Sequence, residues 1–159
     1  MRQTLNRMQQ RGKDDRGFTM IELLVVVVII GVLVAIAVPV YLNYRKGAAN
    51  KSAASDVRGA ITVIEQYYTE NNNTYPTSMT AAQAGAVTFN ADSVISLSPG
   101  NQLWYVSYTT TAGGAAYKIC GWNTEAKTVY SYNSGLTSGG GVRKTTYADL
   151  AACTTATGA

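Results

Sequence analysis

A single carboxylate, Glu22, stands near the start of a run that is otherwise hydrocarbon: "DDRGFTMIELLVVVVIIGVLVAIAVP", from Asp14 to Pro39. At the centre of a bilayer an ionised side chain costs about 2.5–3.5 kcal/mol. Glu22 is therefore either close to an interface or matched by a partner. The next chemically capable pair is Cys120 and Cys153, in a chain with no histidine. Lacking His and a CxxC pair, they make a poor metal or thioredoxin-like site. Two readings stay open. A disulfide would restrict the loop between them, contribute about 2–4 kcal/mol and imply an oxidising compartment; the alternative is two unrelated buried thiols. Lys118, Lys127, Arg143 and Lys144 lie among Tyr and Trp residues and form a candidate basic surface for DNA. The plainer reading is four solvated side chains on strand edges and loops. There are no closely paired carboxylates outside the leader and helix, and no glycine loop passes from a strand into a helix as a phosphate cradle would. The chain reads as a non-enzyme with no cofactor and no metal.

The elements that must position these groups follow from patterning. From Leu23 to Val38 no side chain is polar, and the apolar character continues to Leu42, about the length that spans a bilayer as a helix. Five basic and two acidic side chains precede Gly17, so most of the net charge of +4 belongs to a short leader. The remainder, with eight basic and seven acidic side chains, gives no broad nucleic-acid face. Basic residues flank the run on both sides, so their count leaves orientation open. A disulfide would put the C-terminal part outside and the leader in the cytoplasm. Past Leu42 the helical pattern becomes one-sided: Ala54, Val57, Ile61, Ile64 and Tyr68 recur at steps of three and four. This predicts a continuous helix from about Phe18 to Asn71, roughly 80 Å long. Pro39 should bend it, and "TENNNTYPTS" ends it. A connecting region without periodicity runs from Met79 to Gly100. Three strand-like runs follow, "LWYVSYT" from Leu103, "AAYKICGW" from Ala115 and "KTVYSYN" from Lys127. Their short spacing predicts an antiparallel meander, covered by the helix stripe. The tail from Ser134 is read as a loop.

The N-terminal motif has three readings. It can be a plain membrane anchor. It can be an ordinary secretory signal, cut after Ala37 in the small-x-small triplet Ala35-Ile36-Ala37 to release a binding module. Both leave Glu22 unexplained. Thirdly, "GFTMIELLVVVVIIGVLVAIAVP" resembles the N-terminal signature of type IV prepilins. That resemblance implies cleavage after Gly17, N-methylation of Phe18 and a glutamate, here Glu22, at the fifth mature position. Pro39 falls at the family's kink position, and the sheet and cysteine pair resemble the pilin head with its disulfide-bounded loop. Gly59 stands where many relatives carry a second proline, and the leader is longer than usual.

The resemblance implies an α+β fold: a long N-terminal helix, apolar then amphipathic, packed on a small antiparallel sheet with a disulfide-bounded C-terminal loop. It divides the chain into a cleaved leader (1–17), a membrane and filament-core segment (18–42) and a globular head (43–159). The implied partners are further copies of the chain in a helical homopolymer, a prepilin peptidase, an inner-membrane assembly platform with its motor ATPase, and the membrane before assembly. DNA and surface receptors are further candidates. The implied localisation is the cytoplasmic membrane, then a surface pilus. A minor pilin or a type II secretion pseudopilin is the alternative within the family.

Overall fold

A computed structural model describes residues 17–136 and 140–155. The basic leader through Arg16 and the stretch 137–139 lie outside the described residues. The chain divides into two units between Leu42 and Asn43.

Helix α1 runs from Met20 to Glu70 and passes through Pro39 unbroken. In the first unit its apolar side chains are exposed among the described residues. Every large apolar residue from Phe18 to Leu42 is exposed, including Leu33 at 61%. Among the described residues this is the one helix long and apolar enough to cross a membrane. A helix apolar all round is stable only when another apolar medium covers it.

In the second unit the remainder of α1 buries Ala53, Ala54, Val57, Ala60 and Ile64. The predicted stripe is right in period but shifted: Ile61 and Tyr68 are only partly buried, and Ala53 and Ala60 take central places. The reason is close approach. A Cβ built on Gly121 would lie 2.5 Å from Val57 Cγ2 and 3.7 Å from the Ala53 carbonyl oxygen. Small residues on the helix and a glycine on the sheet let the two surfaces meet. Gly121→Ala therefore overpacks the contact and is expected to cost about 1–3 kcal/mol. Val57→Ala in the same chain makes room for the added methyl. Urea unfolding should show the double variant losing less stability than the two single variants combined. Simple additivity would place the strain elsewhere.

The helix ends where Asn72 and Asn73 adopt left-handed backbone (φ 51° and 57°), which asparagine tolerates better than most residues. Asn73 N–H closes the end on the Tyr68 carbonyl at 3.0 Å.

The sheet comprises β1 (Gln83–Ala84), β4 (Asn101–Thr109), β5 (Ala115–Asn123), β6 (Tyr130–Asn133) and β7 (Arg143–Lys144), in the spatial order β1-β4-β5-β6-β7, with neighbours antiparallel. A separate hairpin pairs β2 (Ala86–Thr88) with β3 (Val94–Ser96), and a short helix, α2, covers Leu150–Thr155. Central β5 is buried on both faces. Alternation of side chains puts Tyr117, Ile119 and Gly121 toward α1, and Lys118 and Cys120 toward the C-terminal segment. The main core joins Val57, Ile64, Leu103, Tyr105, Tyr117 and Ile119.

The meander is as predicted, but three details differ. The connecting region holds three strands, each too short for a period of two to register. The tail holds β7 and α2, the latter started by Asp149 accepting from Ala152 N–H at 2.7 Å. The third predicted strand starts at Tyr130, because Lys127 has left-handed backbone (φ 52°) in the preceding turn. One polar anchor was not expected at all. Asp56 accepts from Ser98 N–H (2.7 Å), Ser98 hydroxyl (2.9 Å) and Asn101 Nδ2 (2.6 Å), tying the β3–β4 loop to the helix.

Candidate functional site

Glu22 belongs to a capping box. Helix α1 begins at Met20, which makes Thr19 the cap residue and Glu22 the third residue inside. Thr19 N–H and its hydroxyl donate to Glu22 Oε2 at 2.9 and 2.8 Å, and Glu22 N–H returns a bond to Thr19 Oγ1 at 3.3 Å. Two orphan backbone donors of the first turn are thereby satisfied. Both contacts from Thr19 fall on Oε2. Oε1 has no donor among the described residues, and Glu22 lies four positions after Phe18. Phe18 itself is 83% exposed. Glu22 is the one charged side chain between Gly17 and Tyr44. The sequence singles out Glu22 and places Thr19 within the prepilin-like pattern; the capping role of Thr19 went unread, although Thr-x-x-Glu ahead of an apolar run is a readable signal. Gly17 is exposed beside Phe18, and Pro39 lies within the exposed helix.

Cys120 and Cys153 form a disulfide, with Cα atoms 6.2 Å apart, which settles the two readings left open. The bond clamps α2 over the face of β5 turned away from α1. There Cys120, Val129, Leu150 and Cys153 make a second small core flanked by Trp104, Trp122 and Tyr147.

The four-residue basic surface needs correction. Lys118 is 3% exposed; its ammonium donates to the Tyr147 hydroxyl at 3.4 Å and lies 4.9 Å from that ring's centroid. It sits on the covered face of the central strand, so it helps to seat the tail and does not join a solvated patch. Lys127, Arg143 and Lys144 are exposed. Arg143 and Lys144 form β7 at the end of the sheet, where charged side chains discourage pairing with other strands.

Several tyrosines are core groups. Tyr117 hydroxyl donates to Glu65 Oε1 at 2.6 Å, and Tyr105 hydroxyl to the Pro76 carbonyl at 3.1 Å. The Tyr117 ring packs against Tyr75, Tyr105 and Tyr132 with centroids 4.9–6.0 Å apart. Burial pushes the Tyr105 phenol far above its usual value of 10.0, and burial with the Glu65 carboxylate beside it does the same to Tyr117. The unfolded chain gives up these protons from pH 10 upward, whereas the folded head retains them. Their contribution is complete below pH 10 and is lost as pH rises, by up to about 1.4 kcal/mol per pH unit for each ring. Urea midpoints should hold from pH 7 to 9 and fall between pH 10 and 11.5. Tyr117→Phe should flatten part of that fall.

The chain is similar to several known proteins. The family description "Prokaryotic N-terminal methylation motif" matches residues 12–38. Type IV wide pilus major component PilA4 of Thermus thermophilus is 30% identical over 132 residues, covering 79% of this chain and 94% of the relative. Type II secretion system core protein G of Pectobacterium carotovorum is 37% identical over 67 residues, 42% of each chain. Type IV major pilin protein PilE1 of Neisseria gonorrhoeae is 36% identical over 68 residues, 43% of this chain and 41% of the relative. The chain thus spans less than half the length of the latter two and nearly all of the first. No solved structure matches.

Proposed function

Because the chain belongs to the type IV pilin family, we propose that it is a structural subunit of an extracellular type IV pilus. One observation carries this reading: an apolar helix exposed on all sides, with a single carboxylate held in its first turn. In the proposed sequence of events, the prepilin is anchored in the cytoplasmic membrane by residues 18–42, with its head outside. A prepilin peptidase cuts after Gly17 and the new amine of Phe18 is methylated. The assembly platform and its motor ATPase then move the helix out of lipid and into a bundle of identical helices.

In the bundle, Phe18–Leu42 exchanges lipid contacts for protein contacts, and a contact that is not self-reciprocal propagates into an open helical fibre. Glu22 Oε1 meets the positively charged Phe18 amine of its own or a neighbouring copy. Such a pair adds little net stability over apolar packing, since both charges lose their hydration; its best-attested use is to fix register. Pro39 and Gly31 are the weak points of the helix and let it melt locally as the fibre stretches. The subunit's role is structural, without catalysis.

Type II secretion pseudopilin is the second reading, supported by the match to core protein G over 67 residues. Deleting the chain's gene and examining sheared surface material by electron microscopy and mass spectrometry separates the two. A major pilin predicts that filaments vanish and return on complementation, with this chain as their bulk component. Unchanged filaments together with lost protein export would favour the pseudopilin.

A further inference from the structure

We propose that Tyr41, Tyr44 and Lys46 bind the headgroups of an anionic phospholipid membrane at the outer boundary of the apolar helix, and so set its depth before assembly. The inference rests on reading residues 18–42 as a membrane segment.

From Leu23 to Val40 there is no polar side chain. Tyr41 and Tyr44 then follow within four residues and are 64% and 77% exposed. Neither ring is part of a core, unlike Tyr105 and Tyr117. Tyrosine has an apolar body and a hydroxyl tip, which suits the boundary between acyl chains and headgroups. Two cations come next, and they differ. Arg45 is held by Glu125 at 2.6 Å. Lys46 has no acidic partner among the described residues, and its long stem lets the ammonium reach a phosphate while its methylenes stay in apolar surroundings.

The spacing supplies the second argument. Glu22 and Tyr41 are nineteen positions apart on one helix, about 28 Å at 1.5 Å per residue. The hydrocarbon layer is about 30 Å thick. With Tyr41 at the outer boundary, Glu22 therefore stands at the inner one, and neither polar group is immersed. A carboxylate in an apolar helix is then tolerated before assembly because the tyrosines hold the helix at one depth.

The test uses the full chain in vesicles of phosphatidylcholine with phosphatidylglycerol, carrying lipids brominated either near the headgroup or at mid-chain. Tyr41→Trp and Val34→Trp are read as differences from the parent chain, whose Trp104 and Trp122 give a constant background. The Tyr41→Trp signal should be quenched about twofold more by the shallow bromine, and the Val34→Trp signal more by the deep one. Adding Lys46→Gln to Tyr41→Trp should remove the extra shallow quenching that phosphatidylglycerol gives over phosphatidylcholine alone. Chains that float with the vesicles but show Tyr41→Trp quenched mainly by the deep bromine overturn the proposal and leave the membrane segment intact. So does quenching by neither bromine, which would mean that a second copy covers the ring. Absence of any phosphatidylglycerol effect overturns the anionic-headgroup assignment. A chain that does not float with vesicles at all overturns the membrane segment itself.

Discussion

Glu22→Gln is expected to abolish filament assembly while leaving the start of the helix intact. The capping box is what separates these two effects. Glutamine serves at this position as glutamate does, because its amide oxygen accepts from Thr19 N–H and hydroxyl in the same way. Helix content and the amount of chain in the membrane should therefore match the parent. What disappears is the negative charge at Oε1. In the proposed fibre the Phe18 amine then lies in an apolar bundle without its counterion, and removing one member of a buried pair costs about 3–5 kcal/mol. That corresponds to more than a hundredfold in the equilibrium for adding a subunit, so sheared filament protein should fall below detection. Glu22→Ala confounds the two roles, since it also removes the acceptor of the Thr19 N–H and hydroxyl and leaves only half of the capping box. The quantity to compare is filament yield against membrane-held chain for both variants. Parental yield from Glu22→Gln would reduce Glu22 to a helix cap and remove the register argument.

Cys153→Ser should be the most damaging single change to the head. The disulfide joins residues 33 positions apart, and a closed loop of that length contributes about 3–4 kcal/mol by restricting the unfolded chain. The native state suffers as well, because the second core contains few other apolar groups than Val129 and Leu150 with parts of Trp104 and Trp122. Once α2 lifts away, the face of β5 that carries Lys118 is open to water, while the face packed on α1 keeps Tyr105, Tyr117 and Ile119. Urea unfolding of Cys153→Ser, and of the parent with and without reductant, should show a loss of about 3 kcal/mol or more. Increased quenching of tryptophan fluorescence by iodide should accompany it. A loss below about 1 kcal/mol would mean that packing alone seats the tail.

Much of this fold could be read from the residues because each main signal was long. Sixteen consecutive apolar residues, a stripe recurring over fifteen more, and two nine-residue strands carrying Tyr, Trp, Val and Ile leave few alternatives. Short elements carried no such redundancy. The strands at 83–84, 86–88 and 94–96 have too few residues to display alternation, and α2 is held by tertiary contacts and a crosslink. Exposure of single charged residues was the least readable. Lys118 looks like any other lysine on a strand; its burial depends on where Cys153 and Tyr147 return across the sheet. Asp56 likewise looks like a solvated helix residue until Ser98 and Asn101 are brought to it. At the candidate site, Glu22 stands out by contrast with its neighbours, whereas Thr19 reads only as part of the prepilin-like pattern until Thr-x-x-Glu is taken as one capping unit.

In the proposed pathway this chain is processed as a prepilin and built into a fibre through residues 18–42. Intact mass and N-terminal sequencing of the chain from sheared cell-surface material test it most directly. The expected chain begins at Phe18 and carries one added methyl group on its amine. A chain beginning at Val38, released as a secreted module, or one still beginning at Met1, would contradict it.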